Sequence, residues 1–266
     1  MKSHLKRLCC FFTAIVIVVG ISSCSKEKVL KEGAEKLDEL IKSIPSMLQT
    51  DKRIFTAQVT AVKDETALIN FYNIDINDYT VYEVEVVDDI SGFMPDTPVK
   101  LYSIGSSEQF DRIKLKKGET YLFNATPWVY GEQIIYLLPT YDTSYAKLDT
   151  ASRLVYTDDS GTYDMCSYQE FLDLYQNQLT TFLETNNEYF LPENILKRHI
   201  DEANEILSIN SNTDIFYDAS REYEWIPSKD FSNQTIEKSK ELLDSLKALE
   251  NAGTVTIESI ANVYEN

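Results

Sequence analysis

From Arg53 onward the spacing of apolar residues changes its period, and that change restricts the possible folds of this chain more than any other feature. Phe55, Ala57, Val59 and Ala61 alternate with Thr56, Gln58 and Thr60, and Tyr82, Val84 and Val86 alternate with Glu83 and Glu85. A period of two puts successive side chains on opposite faces of an extended chain, so both stretches predict half-buried strands. Val99 to Ile104, Thr120 to Ala125 extending toward Tyr130, and Gln133 to Leu138 predict three more, with turns at Asp88 to Gly92, Lys117-Gly118 and Gly131-Glu132. A hairpin is expected from Leu154 to Thr157 and Thr162 to Met165, around Asp158-Asp159-Ser160-Gly161.

Past that hairpin the period becomes helical. Ser167 with Glu170 has the form of a capping box, and Phe171, Leu172, Tyr175, Leu179, Phe182 and Leu183 then share one helix face. Pro192 suits a first helical residue, with Ile195, Leu196, Ile200, Ala203, Ile206 and Leu207 inward. A third helix is expected from about Asn233 to Asn251, with Ile236, Leu243, Leu246 and Leu249 inward and Gly253 as its stop. The aromatic stretch from Phe216 to Phe231 between them reads as loop or short strand pairing, and Ile257 to Tyr264 as a last short helix. Strands first and helices after define an α+β chain, with a five-stranded OB-like β-barrel over residues 51–148 and a hairpin plus α-helical C-terminal region over 149–266.

The N-terminus carries an address. Lys2, Lys6 and Arg7 precede an uncharged run from Leu8 to Ser25, whose strongly apolar core, Leu8 to Val19, has the length of a signal-peptide core rather than of a membrane span. Ile21-Ser22-Ser23-Cys24 resembles the lipobox of bacterial lipoproteins. That resemblance implies cleavage between Ser23 and Cys24, removal of residues 1–23, a diacylglycerol on the Cys24 thiol and a fatty acid such as palmitate on its new amino group. Two or three acyl chains hold a protein firmly to a bilayer. The expected location is therefore the cell membrane or outer membrane, lipid-anchored and facing away from the cytoplasm. Residues 24–50 read as the lipidated N-terminus and a helical stalk with Leu30, Ala34, Leu37, Ile41, Ile44 and Leu48 on one side, interrupted at Pro45 and docking onto the next domain.

Without residues 1–23 the chain holds 22 basic and 43 acidic side chains, a net charge of −21. Tracking phosphates requires Lys and Arg, so nucleic acid is set aside as a partner. The basic group Arg112, Lys114, Lys116 and Lys117 lies beside Glu119 and reads as a solvated turn. Cys166 would be the one free thiol, so no intrachain disulfide is available, and it reads as a small buried hydrophobe. Stability has to come from apolar burial.

The succession RIFTAQVTAV, YTVYEVEVVDD, VKLYSIG and LKKGETYLFNATPW, across roughly residues 52–141, resembles the netrin-module and metalloprotease-inhibitor-like form of the OB fold, most plainly at Leu115, Gly118, Tyr121 and Leu122. In the animal inhibitors of that family a free N-terminal cysteine meets the protease metal and disulfides brace the barrel. Here the terminal cysteine would be acylated and the bracing cysteines are missing, so the resemblance implies the fold and not the inhibition.

Chemistry-bearing residues are sparse. After cleavage His199 is the only histidine, and between Lys197 and Arg198 it reads as a surface or boundary residue. One histidine and one thiol cannot supply a usual zinc site, and no phosphate-cradling glycine spacing occurs. Asn73, Asp75 and Asn77 begin like a calcium loop, but Asp78 stands where glycine and Val84 where glutamate belongs, and Asp158, Asp159 and Asp164 read as solvated loop acids. No catalytic, metal or cofactor residue is assigned. Tyr72, Tyr79, Tyr82, Tyr136 and above all Tyr102, Trp128, Tyr130 and Trp225 are candidates for an aromatic face that stacks on a glycan or anchors a protein, beside ordinary packing in strands. The expectation is a non-catalytic cell-envelope lipoprotein that binds an extracytoplasmic protein or glycan. A carboxylate-dependent envelope hydrolase and the solute-binding lipoprotein of a transporter are its rivals.

Overall fold

The structure is a computed structural model that describes residues 31–45, 48, 52–68, 76–105, 113–139, 144–158, 161–210 and 229–265. Ser23, Cys24, Tyr72, Asn73, Asp75, Arg112, Asp159 and Trp225 lie outside these residues. A first helix, α1, covers 31–45. Eight strands follow: β1 (Arg53–Leu68), β2 (Ile76–Asp89), β3 (Val99–Ile104), β4 (Thr120–Tyr130), β5 (Gln133–Leu138), β6 (Tyr145–Leu148), β7 (Arg153–Asp158) and β8 (Gly161–Ser167). Then come α2 (Tyr168–Thr185), a 3-10 turn (Asn187–Phe190), α3 (Pro192–Asn210), α4 (Lys229–Ala252) and α5 (Ile257–Ala261). The chain is α+β, and four of its five described helices follow the strands.

All eight strands join one sheet in the order β1-β2-β3-β5-β4-β6-β7-β8, and β1 also pairs with β4. The pairings of β1 to β5 therefore close on themselves: β1 with β2, β2 with β3, β3 with β5 in parallel, β5 with β4, and β4 with β1. Register shifts at Thr56/Ala57 and Val59/Ala61 let β1 bend between two partners. β4 serves three neighbours: Thr120–Ala125 pairs with β1, Thr120–Phe123 with β6, and Thr126–Tyr130 with β5.

The five expected strands and the hairpin β7–β8 are present. The sheet is nevertheless larger than expected, because β6 extends it from the ring to the hairpin. Four residues with one fully buried side chain, Ala146, leave too little alternation for sequence to register.

Burial follows from this topology. Phe55, Tyr82, Leu101, Phe123 and Tyr136, one from each ring strand, share a single apolar cluster, which places it inside the ring. Phe55 lies 5.5 Å from Phe123 and edge-on to Tyr136 at 6.3 Å. A second cluster forms where α3, α4 and α5 cover Tyr79, Val81, Tyr102, Trp128 and Ile135. The third lies where α1 and α2 cover Ile54, Leu122, Ala146, Leu154 and Cys166. Residues 53–57 of β1 are thus buried on both faces, where alternation alone predicted one.

Helix α1 docks as expected, but on a stripe shifted from the predicted one. Gly33, Leu40, Ile44 and Leu48 are buried, while Ala34 is exposed and Ile41 half-exposed. A Cβ on Gly33 would stand 2.2 Å from the Asp164 carbonyl oxygen of β8. Strand carbonyls point along the sheet, and β7 occupies the other side of β8. The first turn of α1 therefore covers the edge of β8, a position that sequence would otherwise leave open to pairing.

Candidate functional site

Of the aromatic residues singled out from sequence, Tyr79, Tyr102, Trp128 and Tyr130 come together, but not at the surface, while Tyr82 and Tyr136 lie in the separate cluster inside the ring. Tyr102 on β3 and Trp128 and Tyr130 on β4 are buried beneath the helical layer, at 2, 6 and 6 % exposure. Tyr79 packs edge-on to Tyr102 at 5.9 Å, Tyr102 lies 5.7 Å from Tyr130, and Tyr130 meets Phe231 of α4 edge-on at 4.7 Å. Gly131 has φ +63, and a Cβ there would stand 2.9 Å from the Phe231 ring, so the glycine that opens the β4–β5 turn suits both its left-handed backbone and the close approach of the helix. The Gly131 N–H donates to Thr235 Oγ1 at 2.9 Å. Helix α4 begins at Lys229, earlier than the expected Asn233, because Phe231 has this seat to fill. These tyrosines are anchors for the chain's own helix and do not form the exposed face that was one expectation for them.

Tyr102 has a polar partner in Glu65, whose two carboxylate oxygens accept from its Oη at 3.3 Å. Burial, then the nearby Glu65 charge, pushes the Tyr102 hydroxyl far above the ordinary phenol range. Tyr102 is a fixed donor there and never a base.

A second constellation was missed by sequence. Arg53, the first residue of β1, is fully buried, with its guanidinium 5.0 Å from the Phe93 ring centre and 4.9 Å from that of Tyr264. Aromatic faces attract such a cation. His199 of α3 is also fully buried, 5.2 Å from Phe93 and 5.4 Å from Tyr264 by ring centres. Its Nδ1 lies 2.7 Å from Tyr264 Oη.

The expectation of a surface or boundary histidine is corrected by helical geometry. Position 199 is four residues from both Ile195 and Ala203, inside the buried stripe. The neighbouring Lys197 and Arg198 concealed that periodicity.

Burial, then the positive charges of Arg53 and Arg198, holds His199 well below the ordinary imidazole range, so it is neutral at pH 7. Burial also raises Tyr136 of β5 to about 12. Among the described residues, His199 Nε2 and Tyr136 Oη are buried without a hydrogen-bond partner. A general base must reach its substrate's proton; His199 instead faces two rings, and the adjacent crevice has space for about a single water. This arrangement holds segments together.

Of the remaining candidates the structure describes few. Asp164 accepts from Arg153 Nε through both oxygens, at 2.7 and 2.8 Å. Asn77 lies within β2. Among the described residues no group of three or more His, Cys, Asp and Glu could hold a metal ion. Cys166 is buried as expected, and burial, then Glu170, pushes its thiol up to about 11. Lys116, Lys117 and Gly118 form a turn, with Gly118 at φ +84 and its N–H donating to the Val59 carbonyl at 2.7 Å. Glu119 beside it accepts from Tyr121 Oη at 2.6 Å and pairs with Lys147. Among the described residues no helix is long and apolar enough to cross a membrane. Compared with known proteins, the chain matches no family model, no curated protein and no solved structure.

Proposed function

We propose that this chain is a cell-envelope lipoprotein, anchored through Cys24 to the cell membrane or outer membrane and facing away from the cytoplasm, whose folded body binds an extracytoplasmic partner without catalysing a reaction. The observation that carries this reading is Ile21-Ser22-Ser23-Cys24 closing a short apolar core behind Lys2, Lys6 and Arg7. Residues 25–30 separate that cysteine from α1, a leash of at most roughly 20 Å. The body is then held close to the bilayer, with α1 as its point of attachment.

The body itself reads as an OB-like barrel of the netrin-module kind carrying two helical layers. The closed order of β1 to β5 and the parallel β3–β5 pairing support it. So do the motif residues: Leu115, Tyr121 and Leu122 are buried, and Tyr121 Oη accepts from the Lys116 N–H at 3.0 Å, binding the turn before β4 to the strand itself.

With the strand tyrosines enclosed, the binding surface has to lie elsewhere. Glu193, Asp201 and Glu205 on α3 and Glu237, Glu241 and Asp244 on α4 are exposed, in a body of net charge −21 once residues 1–23 are removed. Between a glycan and a protein, that charge favours a protein with a basic surface, bound more weakly as salt rises. The full chain with Cys24→Ala is expected to lose fatty-acid labelling, and the wild-type chain, solubilised from membranes, to retain a basic protein at low salt and release it at high salt. Labelling that survives Cys24→Ala refutes the anchor. Retention of nothing at low salt, or of partners indifferent to salt, refutes the binding surface.

A further inference from the structure

The tail of the chain closes over the buried polar cluster. Thr256 caps α5 through a box with Ser259, its hydroxyl accepting from the Ser259 N–H while the Ser259 hydroxyl accepts from the Thr256 N–H. Ile260 and Tyr264 then enter the core shared by α3, α4 and the outer side of the ring. Tyr264 lines a narrow apolar crevice with Trp128, Val129, Ala203, Ile206 and Leu242. Val255 and Val263 pack against the same core, but the segment is short: α5 has five residues, Ile257 is 37 % exposed, and the backbone bonds donated by Ile260, Asn262, Val263 and Tyr264 are all local. Such segments open at lower cost than the sheet they cover.

We propose that residues 254–264 form an acid-released strap: protonation of His199 inside the closed seat frees Tyr264 and uncovers the apolar crevice between β4, α3 and α4. The charges acting on His199 are Arg53 of β1 and Arg198 on its own helix, both positive. Glu202, one turn along α3, acts on Tyr264, and Asp89 at the end of β2 acts on Tyr136 of β5. The Asp89 carboxylate already accepts from the Ser91 hydroxyl and from the Gly92 and Met94 N–H groups. In the crevice beside Tyr264, β4 and α4 contribute Trp128, Val129 and Leu242, and the one ionisable carboxylate lining it is that of Glu202. A second cation beside Arg53, with its Nε2–H unpartnered, is costly while the strap is closed and hydrated once it opens.

In the closed state the imidazole is held below its ordinary value of 6.5, and on release it returns toward that value. Closure is therefore fully favoured above pH 6.5 and weakens as pH falls below it, by up to about tenfold in the opening constant per pH unit, until the closed-state value is reached. Carboxylates titrate lower, and His199 is the only histidine beyond residue 23.

The test is amide hydrogen exchange of the full chain in detergent, corrected for intrinsic rates, between about pH 7.5 and about pH 5. Peptides covering 253–265 are expected to lose protection as pH falls while β4 and β5 peptides keep theirs, and the loss is expected to vanish in His199→Gln. In wild-type protein the His199 ring resonance is expected to titrate together with tail opening, which keeps the proposal testable should the variant fail to fold. Tail protection that is flat across this range, a pH dependence that survives His199→Gln, or simultaneous loss across the ring strands would each overturn the strap.

Discussion

Replacing Gly33 with alanine sets two effects of opposite sign against each other. In an unencumbered helix the change is favourable by roughly 0.5–1 kcal/mol, because glycine has the larger entropy to lose. Here the new methyl would stand 2.2 Å from a backbone oxygen, where carbon and oxygen ordinarily keep about 3.3 Å or more. The oxygen belongs to β8 and cannot rotate away as a side chain could, so α1 has to withdraw by about 1 Å. A gap of that size forfeits roughly a quarter to a half of the contact energy of the groups that separate. Leu40, Ile44 and Leu48 are those groups. Overpacking of this kind costs about 1–3 kcal/mol, which outweighs the helical gain. The expected result is a chain less stable by about 1–2 kcal/mol, with Tm lower by roughly 2–8 °C. Chemical and thermal unfolding of the full chain measure it, and hydrogen exchange at β8 should rise as the edge is uncovered. An alanine variant as stable as wild type, or more so, would refute the seating of α1.

Ser167→Ala removes the hydroxyl that accepts from the Glu170 N–H at 3.2 Å and half of a reciprocal cap on α2; denaturant unfolding is expected to show a loss of about 0.5–2 kcal/mol, and no loss would mean the cap is idle. Cys166, with its thiol raised to about 11 and its side chain buried, is expected to resist alkylation in the native protein at about pH 8 and to react once denatured. Peptide mapping that finds rapid native labelling of Cys166 would refute the third core as drawn.

The ring strands were legible because one of their faces reaches a single continuous core, so alternation at Phe55, Ala57 and Val59 survives in sequence. Their second burial was not legible, since Trp128 is covered by helices distant along the chain and Ile54 by the distant α2 together with the adjacent α1, and a polar-looking neighbour such as Arg53 gives no sign of it. The stripe of α1 was displaced for a related reason. Gly33 looks like a weak helical residue, and only the approach of the Asp164 carbonyl makes it the contact point. His199 stood between two charges and was judged by them, although its spacing from Ile195 and Ala203 already carried the answer. The tyrosines were recognised as a set, and what sequence could not supply was their occupant: Phe231 of α4, across the β4–β5 turn.

Arg53 opens the first strand, yet one of the two rings that cover it, Tyr264, lies more than two hundred residues further along the chain. A copy cut short before the tail would hold a bare guanidinium and an open greasy slot on an otherwise assembled sheet, the kind of surface that sticks and is digested. The seam is thereby sealed only in molecules where β1 and the segment after α5 have met.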